Sequence, residues 1–318
     1  MNLISETPSK KEMIRMAEQI RMRDQFGLVS PEELEGLSVK QEERHFMLEN
    51  GKQVHIYELK PDIQIPSPCP LIINFHGGGF MKGRSDRDRR YCSYLAENLQ
   101  CMVWDVDYCL APEEPFPSAV DECYGAAVYA FTYAEELGVD SRRIAMAGHS
   151  AGGNLVAAIH ILNSQFHKLD SCALLMEYFP ADHTVNPLDR LNDTQQYDEK
   201  AVDRAEREAL YQSFYCTKRE TENPLCSPVK ASLVQLRSFP DCLVISAGKD
   251  SLKNETEQFA QRLTEAGVTV TMKRIPEAIH GFSVNRTEGW EKALDLHCDF
   301  FYWHFAKTPF RKEQENLL

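Results

Sequence analysis

Residues 147–155 read AGHSAGGNL, and the serine at position 150 has a glycine two places before it and another two places after. Glycine weakens regular structure, so three glycines in nine residues mark a backbone forced into an unusual shape. A tight surface turn is one answer, but the flanks point to another. RIAMA (143–147) reads as a strand and GNLVAAIHI (153–161) as a helix. Between a strand and a helix, G-x-S-x-G signifies a nucleophile held on a sharp corner. Bulkier side chains at 148 and 152 would collide with neighbouring backbone. Ser150 would stand above the carboxyl end of a sheet, and the following helix would aim amides and partial positive charge at the same place.

Working outward, the same alternation recurs. PLIINF (70–75) is a continuous apolar run ending in glycines, as expected of a strand buried on both faces. Helix-like RDRRYCSYLAENL (87–99) precedes the strand CMVWDVDY (101–108), and SAVDECYGAAVYAFTYAEEL (118–137) precedes RIAMAG. Downstream come the strand ALLMEYFP (173–180), the strand DCLVISAG (241–248), a helix through ETEQFAQRLTEAG, the strand TVTMKRIP (269–276) and a last helix near 288–305. Strands alternating with helices of this length predict an α/β fold with a mainly parallel, doubly wound sheet of about eight strands. Upstream, an amphipathic helix is expected over residues 8 to about 24. Asn50-Gly51 between RHFMLEN and QVHIYELK predicts an N-terminal antiparallel hairpin. Residues 183–225 break the rhythm with a charged helical patch, DEKAVDRAEREALYQSFY, and are read as an insertion over the sheet edge. The expected organisation is an N-terminal helical cap segment (1–42), a catalytic core (43–182 and 226–318) and a cap insertion (183–225).

The 318 residues carry 48 acidic and 35 basic side chains, a net charge of −13, so the basic footprint of a nucleic-acid or anionic-membrane partner is missing. The N-terminal stretch lacks the apolar core of a signal peptide, and no run of 18 apolar residues suggests a membrane span. Ten cysteines include no CxxC pair, which argues against a zinc or redox motif and predicts reduced, mostly buried thiols in a cytoplasmic protein. No metal and no organic cofactor is expected.

A serine hydroxyl needs a base. For this corner the chain order is serine, acid, histidine. Asp250 follows the strand DCLVISAG, and His280 lies in EAIHGF after the next strand, so both belong at the carboxyl edge with Ser150. Asp250 would fix the imidazole, and His280 would act as base and then acid. His76-Gly77-Gly78-Gly79 follows an earlier core strand; amides of Gly77, Gly78 and Ala151 are the expected oxyanion donors. His76 is read as an anchor of that loop. Phe80, Tyr178 and Phe282 are candidate walls of an acyl pocket.

These residues carry a resemblance. HGGGF, VDYCLAPEEPFPSAVDE, GHSAGGNL, NPLCSPV, SAGKDSLKNE and IHGF follow one another from about residue 70 to 282 as in the hormone-sensitive-lipase family of α/β-hydrolases, also called bacterial esterase family IV. The resemblance implies the α/β-hydrolase fold, Ser150, Asp250 and His280 as catalytic triad, Gly77, Gly78 and Ala151 as oxyanion hole, and a helical cap built from the N-terminal region and the insertion. Two positions depart from the family pattern. His149 stands where aspartate is usual, and Cys109 stands where arginine is, with loss of local ion pairing expected. The reading is a serine carboxylesterase for short-chain acyl esters with a small-molecule ester as partner. An amidase or peptidase with the same triad, or a non-catalytic small-molecule receptor, are the rivals. An exposed terminal strand could pair two copies into a homodimer.

Overall fold

The computed structural model describes residues 8–23, 29–48, 51–193 and 200–307. Its strands are β1 (Val39–Met47), β2 (Gln53–Pro61), β3 (Cys69–Phe75), β4 (Met102–Val106), β5 (Val139–His149), β6 (Ala173–Glu177), β7 (Cys242–Ala247) and β8 (Val270–Ile275). They form one eight-stranded sheet in the order β1-β2-β4-β3-β5-β6-β7-β8. β1 and β2 are antiparallel, β2 meets β4 antiparallel, and every pairing from β4 to β8 is parallel. The fold class expected from the sequence is thus the one observed. Asn50 of the hairpin signal lies outside the described residues.

The helices are α1 (Lys10–Arg23), α2 (Pro31–Glu35), α3 (Asp86–Leu99), α4 (Ser118–Thr132), α5 (Ala151–Phe166), α6 (Ala201–Tyr215), α7 (Leu233–Leu236), α8 (Lys253–Glu265), α9 (Phe282–Asn285) and α10 (Trp290–Lys307). Strand periodicity sorts the core into two layers. Leu71, Ile73 and Phe75 of β3, with Met102 and Trp104 of β4, face Ala127 of α4, Val156 of α5 and Phe259 of α8. Ile72 and Val103, one residue out of step, face Leu95 of α3 and Phe301 of α10. Both faces are therefore covered, which is why all seven residues of β3 are buried and its sequence shows no polar alternation.

Two strands differ from the sequence reading. β5 begins at Val139, not at Arg143, because Val139 pairs with Cys69 before an irregularity in the register with β3. β1 begins at Val39, inside the stretch assigned to the N-terminal cap segment; its mostly exposed, charged residues hide the strand period. At the opposite edge, β8 exposes four of its six residues. The helix α1 is pinned by Arg21, which donates to the carbonyls of Met81 and Ala111 and pairs with Glu113 at 2.7 Å. No helix among the described residues is long and apolar enough to cross a membrane.

Candidate active site

Parallel strands deliver their following loops to one edge, and the predicted residues meet there. β5 runs into the corner, and Ser150 takes φ 53°, ψ −124°, a left-side backbone conformation that costs a non-glycine residue free energy. The glycines allow the corner to close. A Cβ on Gly152 would lie 1.8 Å from the Phe75 carbonyl oxygen, and one on Gly148 would lie 2.3 Å from the Gly152 carbonyl oxygen. The Ser150 amide donates to the carbonyl of Glu177 at the end of β6, so the corner is tied to the next strand.

Asp250 sits in the turn after β7, and His280 in the loop after β8. These loops are stitched together: the Gly248 amide donates to Ile275 O and that of Lys249 to Ala278 O. Ser150 Oγ lies 2.9 Å from His280 Nε2, and His280 Nδ1 lies 2.7 Å from Asp250 Oδ2. The second Asp250 oxygen accepts from the Leu252 amide at 3.2 Å. Asp250 is 2% exposed. Burial pushes the imidazole pKa of His280 down, but the charge and hydrogen bond of Asp250, with a further contribution from Glu208, outweigh it and raise the pKa above its ordinary value. The arrangement can therefore take a proton from a hydroxyl and stabilise the imidazolium that results.

The glycine loop behaves differently from the sequence reading at one position. The Gly77 amide is turned toward His149, whose Nε2 lies 3.0 Å away and also 3.1 Å from Asp88 Oδ1 of α3. Gly77 is thereby removed from the expected set of donors. No partner among the described residues is found for the amides of Gly78, Gly79 and Ala151, and all three residues line the cavity above Ser150. His76 anchors the loop as anticipated: its Nδ1 is 2.7 Å from Gly77 O, its carbonyl accepts from Tyr108 Oη at 2.7 Å, and the two rings stack.

His149, which replaces the usual aspartate, lies buried between Gly77 and Asp88, and its Nε2 serves one of them at a time: bare, it accepts from the Gly77 amide; protonated, it donates to Asp88. Burial alone would raise the pKa of Asp88, but the hydrogen bond and charge of His149 hold the carboxyl well below the usual carboxylate range. Sequence reasoning did not single out Asp88, whose other oxygen, Oδ2, accepts from the amide and hydroxyl of Ser85 ahead of α3. At the other departure, the expected loss of ion pairing is corrected by Lys52. Its ammonium lies 3.0 Å from Glu122 and 3.4 Å from Cys109 Sγ. Burial beside Glu122 pushes the Cys109 thiol up to about 12. All ten cysteines are unpaired, seven of them buried.

The cavity has a volume of about 430 Å³. Phe80 and Tyr178 line it; Phe80 stacks on Tyr215 at 3.7 Å, and Tyr178 Oη lies 2.7 Å from Ser283 Oγ. Phe282 does not line it. It is fully buried behind Tyr178, with ring centroids 5.5 Å apart, and supports the wall from the core side. Residues of the 183–225 stretch also line the cavity, among them His183, Arg190, Arg204, Glu208, Tyr211 and Gln212. Among the described residues, none of α1 lines it.

A family model described as the α/β hydrolase fold matches residues 72–284. The chain belongs to that family, which bears out the resemblance read from its motifs. An arylesterase of Saccharolobus solfataricus is 34% identical over 240 residues, spanning 71% of this chain and 73% of that protein. A fungal esterase structure from Rhizomucor miehei is 30% identical with a TM-score of 0.79, covering 95% of this chain and 93% of the other. A hyperthermophilic esterase from Pyrobaculum calidifontis is 26% identical with a TM-score of 0.76, covering 92% and 90%. Fold and relatives place the chain among the carboxylic ester hydrolases.

Proposed function

We propose that the protein is a serine carboxylesterase acting on short-chain acyl esters through an acyl-enzyme. Ser150 Oγ attacks the ester carbonyl as His280 Nε2 takes its proton, and Asp250 holds the imidazole and its developing charge. The negative oxygen of the tetrahedral intermediate is received by the amides of Gly78, Gly79 and Ala151, with the α5 dipole behind them. His280 returns the proton to the leaving alcohol, then deprotonates a water that releases the acid. Residues 183–225 act as the cap over the acyl site, and α1, fastened through Arg21, braces the loop beneath it.

The observation that carries the reading is the hydrogen-bonded series Ser150–His280–Asp250, 2.9 and 2.7 Å, with Ser150 and His280 both lining the cavity. Relatives named arylesterase and carboxylesterase support the choice of an ester over an amide. The test is a panel of p-nitrophenyl esters from acetate to palmitate with wild type and Ser150→Ala. Turnover is expected to concentrate on acyl chains up to roughly six carbons. The variant is expected to lose on the order of 10³-fold or more. Equal turnover by both proteins would end the serine mechanism; turnover by neither would favour a receptor.

A further inference from the structure

The N-terminal hairpin carries a group of side chains that the esterase reading does not use. Glu43 and His45 are two residues apart on β1, so they share a face, and His45 stands opposite His55 of β2. The Leu48 amide donates to the carbonyl of Lys52. Ladder alternation from that bond makes His45 and His55 a non-hydrogen-bonded pair, the type that brings facing side chains closest. Their rings stack with centroids 4.4 Å apart. One donor atom from each of Glu43, His45 and His55 lies within 4.8 Å of the other two.

Asp107, just after β4, prepares this group for a ligand. Its amide donates to the His55 carbonyl, and its Oδ2 lies 3.2 Å from His55 Nδ1. An ionised carboxylate only accepts, so in the neutral ring Nδ1 carries the proton and the Nε2 lone pair is bare. That Nε2 is buried and has no hydrogen-bond partner among the described residues; Glu43 Oε2, at 3.7 Å, is too far to be one. A histidine oriented by a carboxylate through one nitrogen, with the other left bare, is prepared as a metal ligand. Among the described residues, Glu43 and Asp107 pair with histidines alone. Arg84, on the neighbouring Tyr57 ring, is taken up by Asp105 at 2.5 Å and Gln41 at 2.8 Å.

We propose that Glu43, His45 and His55 bind a divalent transition ion such as zinc, with Asp107 orienting His55 from behind. Two imidazoles and one carboxylate suit zinc, nickel or copper, whereas magnesium and calcium call for oxygen donors. Tetrahedral zinc with bonds of about 2.0–2.1 Å sets its donors roughly 3.3 Å apart. The 3.7 Å between Glu43 and His55 is near that spacing, and the exposed Glu43 and His45 side chains can close the rest. Three protein donors leave a further position to water. The ion clips the edge strand β1 to β2, and none of its ligands lines the Ser150 cavity. No CxxC pair announces such a site, because its donors meet only across the hairpin.

The experiment titrates the full chain, stripped with chelator, with Zn²⁺ by calorimetry and by thermal unfolding. The proteins are wild type, Glu43→Gln, His45→Ala, His55→Ala and Asp107→Asn. Wild type should bind an equivalent of zinc that raises Tm, since the ion favours the native state. That equivalent should vanish in His45→Ala and His55→Ala, and weaken by about tenfold or more in Asp107→Asn. His45 is exposed, so His45→Ala should keep the metal-free Tm of wild type and the test stays readable if His55→Ala misfolds. Mg²⁺ and Ca²⁺ should give no response. Absence of zinc binding by wild type, or binding that survives His45→Ala, as zinc on surface thiols would, overturns the proposal. Equal binding of Mg²⁺ overturns the class of ion, and unchanged affinity in Asp107→Asn overturns the part given to Asp107.

Discussion

Gly152→Ala tests the corner that the whole site hangs from. The new Cβ would sit 1.8 Å from Phe75 O, 2.5 Å from Phe75 C and 2.8 Å from His76 O, all of them backbone atoms. Carbons of this kind essentially never approach closer than 3.0 Å, so the gap between α5 and the end of β3 must open by 3.0 − 1.8 = 1.2 Å. Overpacking that the neighbours cannot escape by rotamer change costs about 3 kcal/mol. With an unfolding entropy of about 0.7 kcal/mol/K for a chain of this length, Tm should fall by roughly 4–5 °C. The larger effect is catalytic. Phe75 and His76 lead into Gly78 and Gly79, and a displacement of about 1 Å there costs on the order of 10²-fold in kcat. Calorimetry and p-nitrophenyl butyrate kinetics read the two effects separately. Gly36→Ala is the control, since its Cβ meets nothing closer than 3.4 Å and its φ is −75°; it should leave both nearly unchanged. Wild-type kcat and Tm in Gly152→Ala would refute the close approach of helix and strand from which the site has been built.

The raised pKa of His280 sets a pH dependence. The base works only when neutral, so kcat/KM should rise with pH through a midpoint above the ordinary histidine value of 6.5, and Glu208→Gln should move that midpoint down. An unmoved midpoint would separate Glu208 from the His280 imidazole. His149→Ala removes the imidazole from Asp88 Oδ1 while Ser85 keeps its hold on Oδ2, and should destabilise by about 1–3 kcal/mol; strict additivity of His149→Ala and Asp88→Ala in urea unfolding would contradict the pairing. Cys109, pushed up to about 12, should resist iodoacetamide at pH 8 in the native protein, and its rapid alkylation would argue against the Lys52–Glu122 environment described.

The parts of the site legible in the sequence are those fixed by local geometry. Ser150 announced itself because only glycine fits at 148 and 152, and Asp250 and His280 followed from strand ends at one edge. What stayed hidden depends on contacts between distant segments. His149 and Asp88 are 61 residues apart, and neither position carries a local sign that they meet; nor could the sequence show that Gly77 turns its amide to His149. Lys52 takes over the charge missing at Cys109 from the far side of the hairpin, a substitution visible only in three dimensions. Phe282 was misplaced into the pocket because its neighbour His280 faces it, whereas the chain turns at Gly281 and sends the ring into the core. The helix α6 was legible as charged, but which of its residues line the cavity was not.

Covalent labelling with a fluorophosphonate, read by intact mass and peptide mapping, tests the nucleophile most directly. The relay predicts a single adduct on Ser150, formed rapidly in wild type, slowed strongly in His280→Ala and absent in Ser150→Ala. An adduct on another residue, or equal labelling of Ser150 without the imidazole, would contradict it.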